Sequence, residues 1–183
     1  MRGCSSKRFW DAAKIAVAAA LLGAQPAVCA DPPLDQSVKA TFVAKFAPFV
    51  EWPEAAFETA DSPLYLCVLG NDPVARLIDR AAAGQRDGIR PLVVRHLNRV
   101  ERNSPCHLLY ASPSGEQTVQ SALETVEGRP VLTVTDGPAK GMIAFAIENN
   151  RVRFDIDERA AAVSGLDISS RLLSLARTVR PRG

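Results

Sequence analysis

One apolar run, LYLCVLG at residues 64–70, constrains the fold of this chain more than any other stretch. Its apolar residues do not alternate with polar ones, which is typical of a strand covered on both faces within a parallel sheet. Gly70 permits a tight turn directly after the strand. Asp72 can cap a following helix, and Pro73 suits the first turn of that helix because its missing N–H has no partner there. The stretch therefore predicts a strand–turn–helix unit.

Similar units follow downstream, in which short apolar strands alternate with helical segments. This alternation indicates an α/β fold, a three-layer sandwich with a mostly parallel sheet. In a common strand order of such folds, the first and third of these strands lie side by side. The predicted strands are residues 64–70, 91–96, 107–111 and 131–135, and the helices between them are residues 73–83 and 112–124.

The alternation of strands and helices ends in the last third of the chain. The runs at residues 142–147 and 151–156 predict a hairpin, because Asn149 and Asn150 between them tolerate positive φ. The second of these strands is then antiparallel to its neighbour and lies near an edge of the sheet. Two helices complete the prediction, one over residues 158–163 and a final one that starts near Ser169.

An aromatic helix is predicted before the first strand, over residues 36–52. Lys39 lies off its apolar stripe, and Pro48 should kink or stop it because proline removes a backbone hydrogen bond. Its last aromatic residues allow two interpretations. Phe49 and Trp52 either pack into the core or reach a surface that contacts a partner or ligand.

The first 30 residues have the pattern of a secretory signal peptide. Basic residues precede an apolar run at residues 15–23, and the small-residue stretch AVCA at residues 27–30 predicts cleavage after Ala30. The apolar run has about half of the ~20 residues that a membrane span needs. Two alternatives remain, an uncleaved membrane anchor and lipidation of Cys29. Cleavage leaves a single domain at residues 31–183, without a membrane span.

Loss of the leader changes the charge of the protein. The whole chain has a formal net charge of +2, and the leader carries four basic residues against one acidic residue, so that −1 remains. A nucleic-acid partner therefore loses its main electrostatic support.

Cleavage also removes two cysteines, Cys4 and Cys29, and leaves Cys67 and Cys106. In an oxidising compartment, such a pair is most simply a disulfide. The predicted strand order makes this bridge geometrically possible, because the two cysteines fall on neighbouring strands. The alternative is two buried thiols that do not meet.

The sequence does not predict an enzyme. It contains no G-x-S-x-G elbow, no P-loop and no G-x-G-x-x-G after the first strand. The two histidines show no pattern of metal ligands, and His107, which opens a strand, is expected to be a structural residue. We accordingly expect no metal and no cofactor.

One stretch is a candidate anion site. Ser169 and Ser170 precede Arg171 at the start of the predicted final helix, where backbone N–H groups attract anions. The alternative is ordinary helix capping beside a surface arginine.

Taken together, these segments resemble the YfiR family of exported bacterial proteins. The resemblance extends over nearly the whole chain after the leader, in order, and its segments are VKATFVAKFAPFVEWP at residues 38–53, LCVLGNDP at 66–73, CHLLY at 106–110, GMI at 141–143, RVRFDI at 151–156 and GLDISSRLL at 165–173.

The resemblance implies a periplasmic regulator without enzymatic activity. It implies that the protein forms homodimers, carries the Cys67–Cys106 disulfide, and inhibits an inner-membrane diguanylate cyclase by binding its periplasmic domain. Such inhibition limits cyclic di-GMP signalling and biofilm formation. The alternative is a periplasmic sensor of a small anion without a cyclase partner. Relatives carry a second cysteine pair where Gly141 and Glu148 stand here, so any redox response must rest on one bridge.

Overall fold

The computed structural model describes residues 33–183, and the predicted leader with its cleavage site lies outside the described residues. Ten strands and five helices are formed within this range. The strands are β1 (Val50–Glu51), β2 (Leu64–Leu69), β3 (Arg86–Asp87), β4 (Arg90–Leu97), β5 (Leu108–Ala111), β6 (Leu132–Thr135), β7 (Ile143–Glu148), β8 (Arg151–Asp157), β9 (Asp167–Ile168) and β10 (Thr178–Arg180). The helices are α1 (Leu34–Lys45), α2 (Ala75–Ala82), α3 (Val119–Val126), α4 (Glu158–Val163) and α5 (Ser170–Leu173).

Eight of these strands form one sheet in the order β10-β8-β7-β6-β5-β2-β4-β3. Strand β2 lies between β4 and β5 and is parallel to both, which confirms the predicted neighbours. The parallel pairing continues through β6 and β7, and β8 then returns antiparallel to β7. The hairpin turn has Asn149 and Asn150 at φ of 49° and 57°, as the sequence predicts. The α/β fold with a mostly parallel sheet is confirmed.

The sheet is covered on both faces, which gives the predicted three layers. Alternate residues of a strand point to opposite faces. In β2, Leu66 and Val68 belong to the larger core, with α1, α2 and α4, whereas Cys67 and Leu69 belong to a smaller core with α3.

Within residues 33–183, no helix is both long and apolar enough to cross a bilayer.

The first helix is shorter than predicted. It ends at Lys45 and is followed by a 3-10 turn over Ala47–Phe49 and then by β1. An α-helix through Pro48 would bring its ring against the carbonyl of the residue four positions earlier. The chain therefore leaves the helix before the proline, and the expected helix to residue 52 is wrong.

Lys39 was expected off the apolar stripe, but only 8% of it is exposed. Its ammonium group is 2.7 Å from the Asp136 carboxylate, just after β6. This ion pair joins α1 to the carboxyl edge of the sheet.

The predicted final helix is also wrong. Only the four residues of α5 are helical, and β10 then pairs parallel to β8, with Val179 opposite Ile156. Arg177 donates to the Asp155 carboxylate through Nε at 2.9 Å, and this contact fixes the chain beside β8. Strand β8 is therefore not the edge of the sheet.

Candidate functional site

The crevice where many α/β proteins hold ligands is filled by side chains of the protein itself. Ligands in open α/β sheets bind at the carboxyl ends of the strands, where the strand order switches direction. Here that point lies between β2 and β5. Gly70 has φ of 102° and packs against the Ser112 and Ser114 hydroxyls, leaving no space for a Cβ. The Asn71 N–H donates to Ser114 Oγ at 2.8 Å.

The same contact explains why the helix after β5 starts later than predicted. Residues 112–118 are held against the end of β2, and α3 begins only at Val119, capped by the Thr118 side chain.

The acidic residue beside this crevice is fully engaged. One oxygen of Asp72 accepts the Ala75 N–H at 2.7 Å, which confirms the predicted helix cap. The other oxygen accepts the Tyr110 hydroxyl at 2.8 Å. Burial, with the neighbouring Asp72 carboxylate, raises the pKa of Tyr110 far above its ordinary value. The phenol is therefore a permanent donor and not an acid–base group.

The opposite, amino edge of the sheet carries the disulfide. Cys67 and Cys106 are bonded, with their Cα atoms 5.7 Å apart, and they are 39 positions apart in sequence. Both residues are buried in the smaller core, with 0% and 4% exposed. The bridge joins β2 to the residues that lead into β5.

Next to the disulfide, His107 joins several segments of this edge. Its Nδ1 accepts the Tyr65 N–H at 3.0 Å, and its Nε2 is 2.9 Å from the Ala56 carbonyl oxygen. Because a backbone N–H can only donate and a carbonyl can only accept, the ring is neutral with its proton on Nε2. Burial lowers the pKa of His107. The expected structural role of this histidine is confirmed.

The ring of His107 stacks against two aromatic rings, and each of these rings also contacts a guanidinium group. Phe57 lies against one face, with ring centroids 4.5 Å apart, and Tyr65 packs at 5.8 Å. Arg90 lies 3.6 Å from the centroid of the Phe57 ring, and Arg95 lies 3.7 Å from that of the Tyr65 ring. Such cation–π contacts favour a fixed orientation of both arginines.

A cavity of about 470 Å³ opens beside this stack. Residues of the stack, the disulfide and the loops before β2 and β6 line it. They are Ala55, Ala56, Phe57, Glu58, Ser62, Pro63, Tyr65, Arg95, Pro105, Cys106, His107, Arg129 and Pro130.

Both aromatic residues that were considered for a partner surface are half-buried. Phe49 and Trp52 pack against the larger core. Trp52 also donates from Nε1 to the His107 carbonyl oxygen at 3.2 Å, which ties it to the disulfide edge. Only the remaining exposed parts of these rings can meet a partner.

The expected anion site lies next to that aromatic pair. Strand β9 pairs with β1, and the Ser169 N–H donates to the Phe49 carbonyl oxygen at 2.9 Å. The Ser169 hydroxyl caps α5 by accepting the Leu172 N–H at 3.4 Å. Ser170 and Arg171 are exposed. The fold thus brings Phe49 and Ser169 together.

Sequence reasoning missed the arginines and aromatic residues of the amino edge. Phe57, Tyr65, Arg90, Arg95 and Arg129 come from separate strands and loops, and their contacts depend on strand register. No local motif marks them.

The remaining histidine, His96, pairs with Asp79 at 2.7 Å on the surface. In the described part of the chain, no group of three His, Cys, Asp or Glu side chains is arranged to hold a metal ion.

Comparison with known proteins identifies one family. A family model described as YfiR/HmsC-like matches residues 36–177. No curated protein sequence matches the chain significantly.

Proposed function

Because the chain belongs to the YfiR/HmsC-like family, we propose that it is a periplasmic regulatory protein that inhibits a membrane-anchored diguanylate cyclase. Inhibition would limit cyclic di-GMP signalling and biofilm formation. The match over residues 36–177 carries the proposal, since it includes every helix and strand from the third residue of α1 to the residue before β10.

Two features of the fold support a binding role without catalysis. Ser112 and Ser114 occupy the crevice where an α/β enzyme would hold its substrate. The Cys67–Cys106 bridge fits an exported protein, because disulfides persist in oxidising compartments. The proposed leader, cleaved after Ala30, would deliver the protein there.

Inhibition would act through the conformational equilibrium of the cyclase. A protein that binds the inactive form of the periplasmic domain more tightly than the active form shifts the population toward the inactive form. A shift from 1:99 to 99:1 needs about a 10⁴-fold difference in affinity between the two forms. We propose that the exposed parts of Phe49 and Trp52 belong to the contact surface, and that the protein acts as a homodimer.

The test is affinity capture of the tagged protein from its native envelope, followed by mass spectrometry and measurement of cyclic di-GMP. We expect recovery of a membrane protein with a cyclase domain, and higher cyclic di-GMP when the regulator is deleted. Phe49→Leu keeps an apolar core contact and should weaken recovery, whereas Leu175→Ala, at an exposed apolar residue, should not. Unchanged cyclic di-GMP after deletion, with no cyclase recovered, would rule the function out.

A second candidate function is the sensing of a small anion at Ser169, Ser170 and Arg171. Its supporting observation is the exposure of Ser170 and Arg171 next to Ser169, whose bond to Phe49 would place a bound anion beside the proposed partner surface. Thermal stabilisation by phosphate that Arg171→Ala abolishes would support this function, and stabilisation that survives the substitution would count against it.

A further inference from the structure

The cavity at the amino edge has the composition of a ligand site, and its lining contains none of the residues of the two surfaces considered above. We propose that it binds a small organic monoanion, with the carboxylate or other oxyanion group held by Arg95 and Arg129 and the apolar body held against Phe57 and the neighbouring prolines. The proposal does not depend on a cyclase partner.

Arg95 provides the first group for the anion. Its guanidinium carries five N–H donors. Its Cζ atom lies 3.7 Å from the centroid of the Tyr65 ring, and within residues 33–183 the guanidinium makes no hydrogen bond. Because stacking uses the face of a guanidinium and leaves its edge, the N–H groups are held in one orientation and remain available for an oxyanion.

Arg129 provides the second group. Its Nη1 donates to the Ser104 carbonyl oxygen at 3.2 Å, which anchors the side chain at the cavity wall. No carboxylate in the described part of the chain lies within ion-pair distance of either Arg95 or Arg129. Burial, together with the positive charge of Arg102, lowers the pKa of Arg129. An anion in the cavity would offset the repulsion between the two guanidinium groups.

The charges that line the cavity favour one negative charge on the ligand. The lining contains Arg95 and Arg129 against Glu58. His107 adds no charge, because its hydrogen bonds to Tyr65 and Ala56 require the neutral ring. Among the lining residues one net positive charge remains, which matches a monoanion, and Arg90 on the Phe57 ring donates to the Thr59 and Ser62 carbonyl oxygens. A dianion would meet repulsion from Glu58.

The other walls favour an apolar body. Phe57, Pro63, Pro105 and Pro130 present rings to the cavity, and proline has no N–H to offer. The volume of about 470 Å³ falls within the ~300–1,000 Å³ of typical small-molecule sites. A free inorganic ion would leave most of this surface uncovered.

The test compares three probes on the purified full chain by calorimetry. Benzoate has one charge and an apolar ring, phenylphosphonate has the ring with more charge, and inorganic phosphate has no apolar body. We expect saturable binding of benzoate, at least tenfold tighter than that of phosphate. Tighter binding of phenylphosphonate than of benzoate would overturn the choice of a monoanion, and equal affinities for phosphate and benzoate would overturn the apolar contact.

Two variants locate the site. Arg95→Gln combined with Arg129→Gln should weaken benzoate binding at least tenfold, and Arg153→Gln, an exposed arginine of β8, should leave it unchanged. NMR on the wild-type protein gives a readout that does not depend on the variants folding. Benzoate should shift the amide signals of Cys106 and His107 and leave that of Asn150 in place. Binding with no shift at Cys106 and His107, or no saturable binding at all, would refute the proposal.

Discussion

The backbone N–H of Tyr65 donates to Nδ1 of His107 across 3.0 Å. This hydrogen bond determines the protonation state of the imidazole, because a proton on Nδ1 would face another proton. With Nε2 donating to Ala56, the ring has no free position. The neutral His107 ring therefore joins β2 and the loop before it to the start of β5. Protonation of the ring must break the hydrogen bond from Tyr65.

The pH dependence of stability should report this bond. The pKa of His107 lies below its ordinary 6.5 in the folded state, mainly because of burial. The unfolded chain therefore binds the proton more readily, so stability is fully present above about pH 6.5 and falls as the pH drops toward the folded-state value. We expect denaturation midpoints to decrease between pH 7.5 and 5, and His107→Gln to flatten that part of the profile.

His96→Gln is the matched control for this experiment, since it removes the other histidine, which is exposed. It should keep the slope seen in the wild-type protein. If the slope disappeared in His96→Gln and persisted in His107→Gln, the assignment to His107 would be wrong.

The disulfide should contribute strongly to stability. A bridge between residues 39 positions apart restricts the unfolded chain. On the loop-entropy estimate, this restriction stabilises the folded protein by about 3–4 kcal/mol. Cys67→Ser should lower the free energy of unfolding by about this amount and weaken cyclase inhibition. Chemical denaturation measures the first effect, and cyclic di-GMP measures the second.

Reduction of the wild-type protein separates the bridge from the substitution. A reduced wild type that melts like Cys67→Ser would attribute the loss to the bond itself. Equal melting of the oxidised wild type and the variant would contradict the expected contribution.

Gly70→Ala should be more harmful than a glycine substitution elsewhere. Gly70 combines φ of 102° with contact to the Ser112 hydroxyl, whereas Gly84 has φ of 73° and open space around it. A side chain at left-handed φ costs about 1–2 kcal/mol. Gly84→Ala should lose about that much by urea denaturation, and Gly70→Ala should lose more because Ser112 must also move.

Adding Ser112→Ala to Gly70→Ala should recover the steric part of this loss. No recovery in the double variant would show that the hydroxyl contact is unimportant.

The ion pair between Lys39 and Asp136 should be strongly coupled. The nitrogen and oxygen are 2.7 Å apart, and the two side chains are 10% and 26% exposed. Removing one partner leaves a buried charge, which costs about 3–5 kcal/mol when burial is complete. Since Asp136 remains partly exposed, we expect about 2 kcal/mol for Lys39→Met in urea denaturation.

A double-mutant cycle with Asp136→Leu tests the coupling. The double variant should be more stable than Lys39→Met alone. Additive losses in the cycle would mean that the pair contributes nothing.

Local chemistry was enough to predict the centre of this fold. The unbroken apolar run of β2, the cap at Asp72 and the paired asparagines of the hairpin each act over a few residues, so the sequence shows them directly. The neighbours β2 and β5 followed from a common topology, and that in turn made the Cys67–Cys106 bridge plausible.

Features that depend on distant partners could not be predicted in this way. Lys39 looks like a surface residue until β6 places Asp136 beside it. Residues 169–180 have helical spacing of apolar residues, but Arg177 binds the Asp155 carboxylate and Val179 pairs with β8 as part of a strand. The stack from Arg90 to Arg95 depends on strand register, which no single segment encodes.

The short strand β10 also covers one side of β8 at the end of the sheet. An uncovered strand edge presents unpaired N–H and C=O groups on which another chain can assemble. Residues 178–180 occupy that side of β8 and are secured by arginine contacts to Asp155 and Asp157. A chain shortened before Thr178 would expose this edge. Strand β10 thus replaces the seven-residue edge of β8 with an edge of three residues, and truncation before Thr178 should lower solubility.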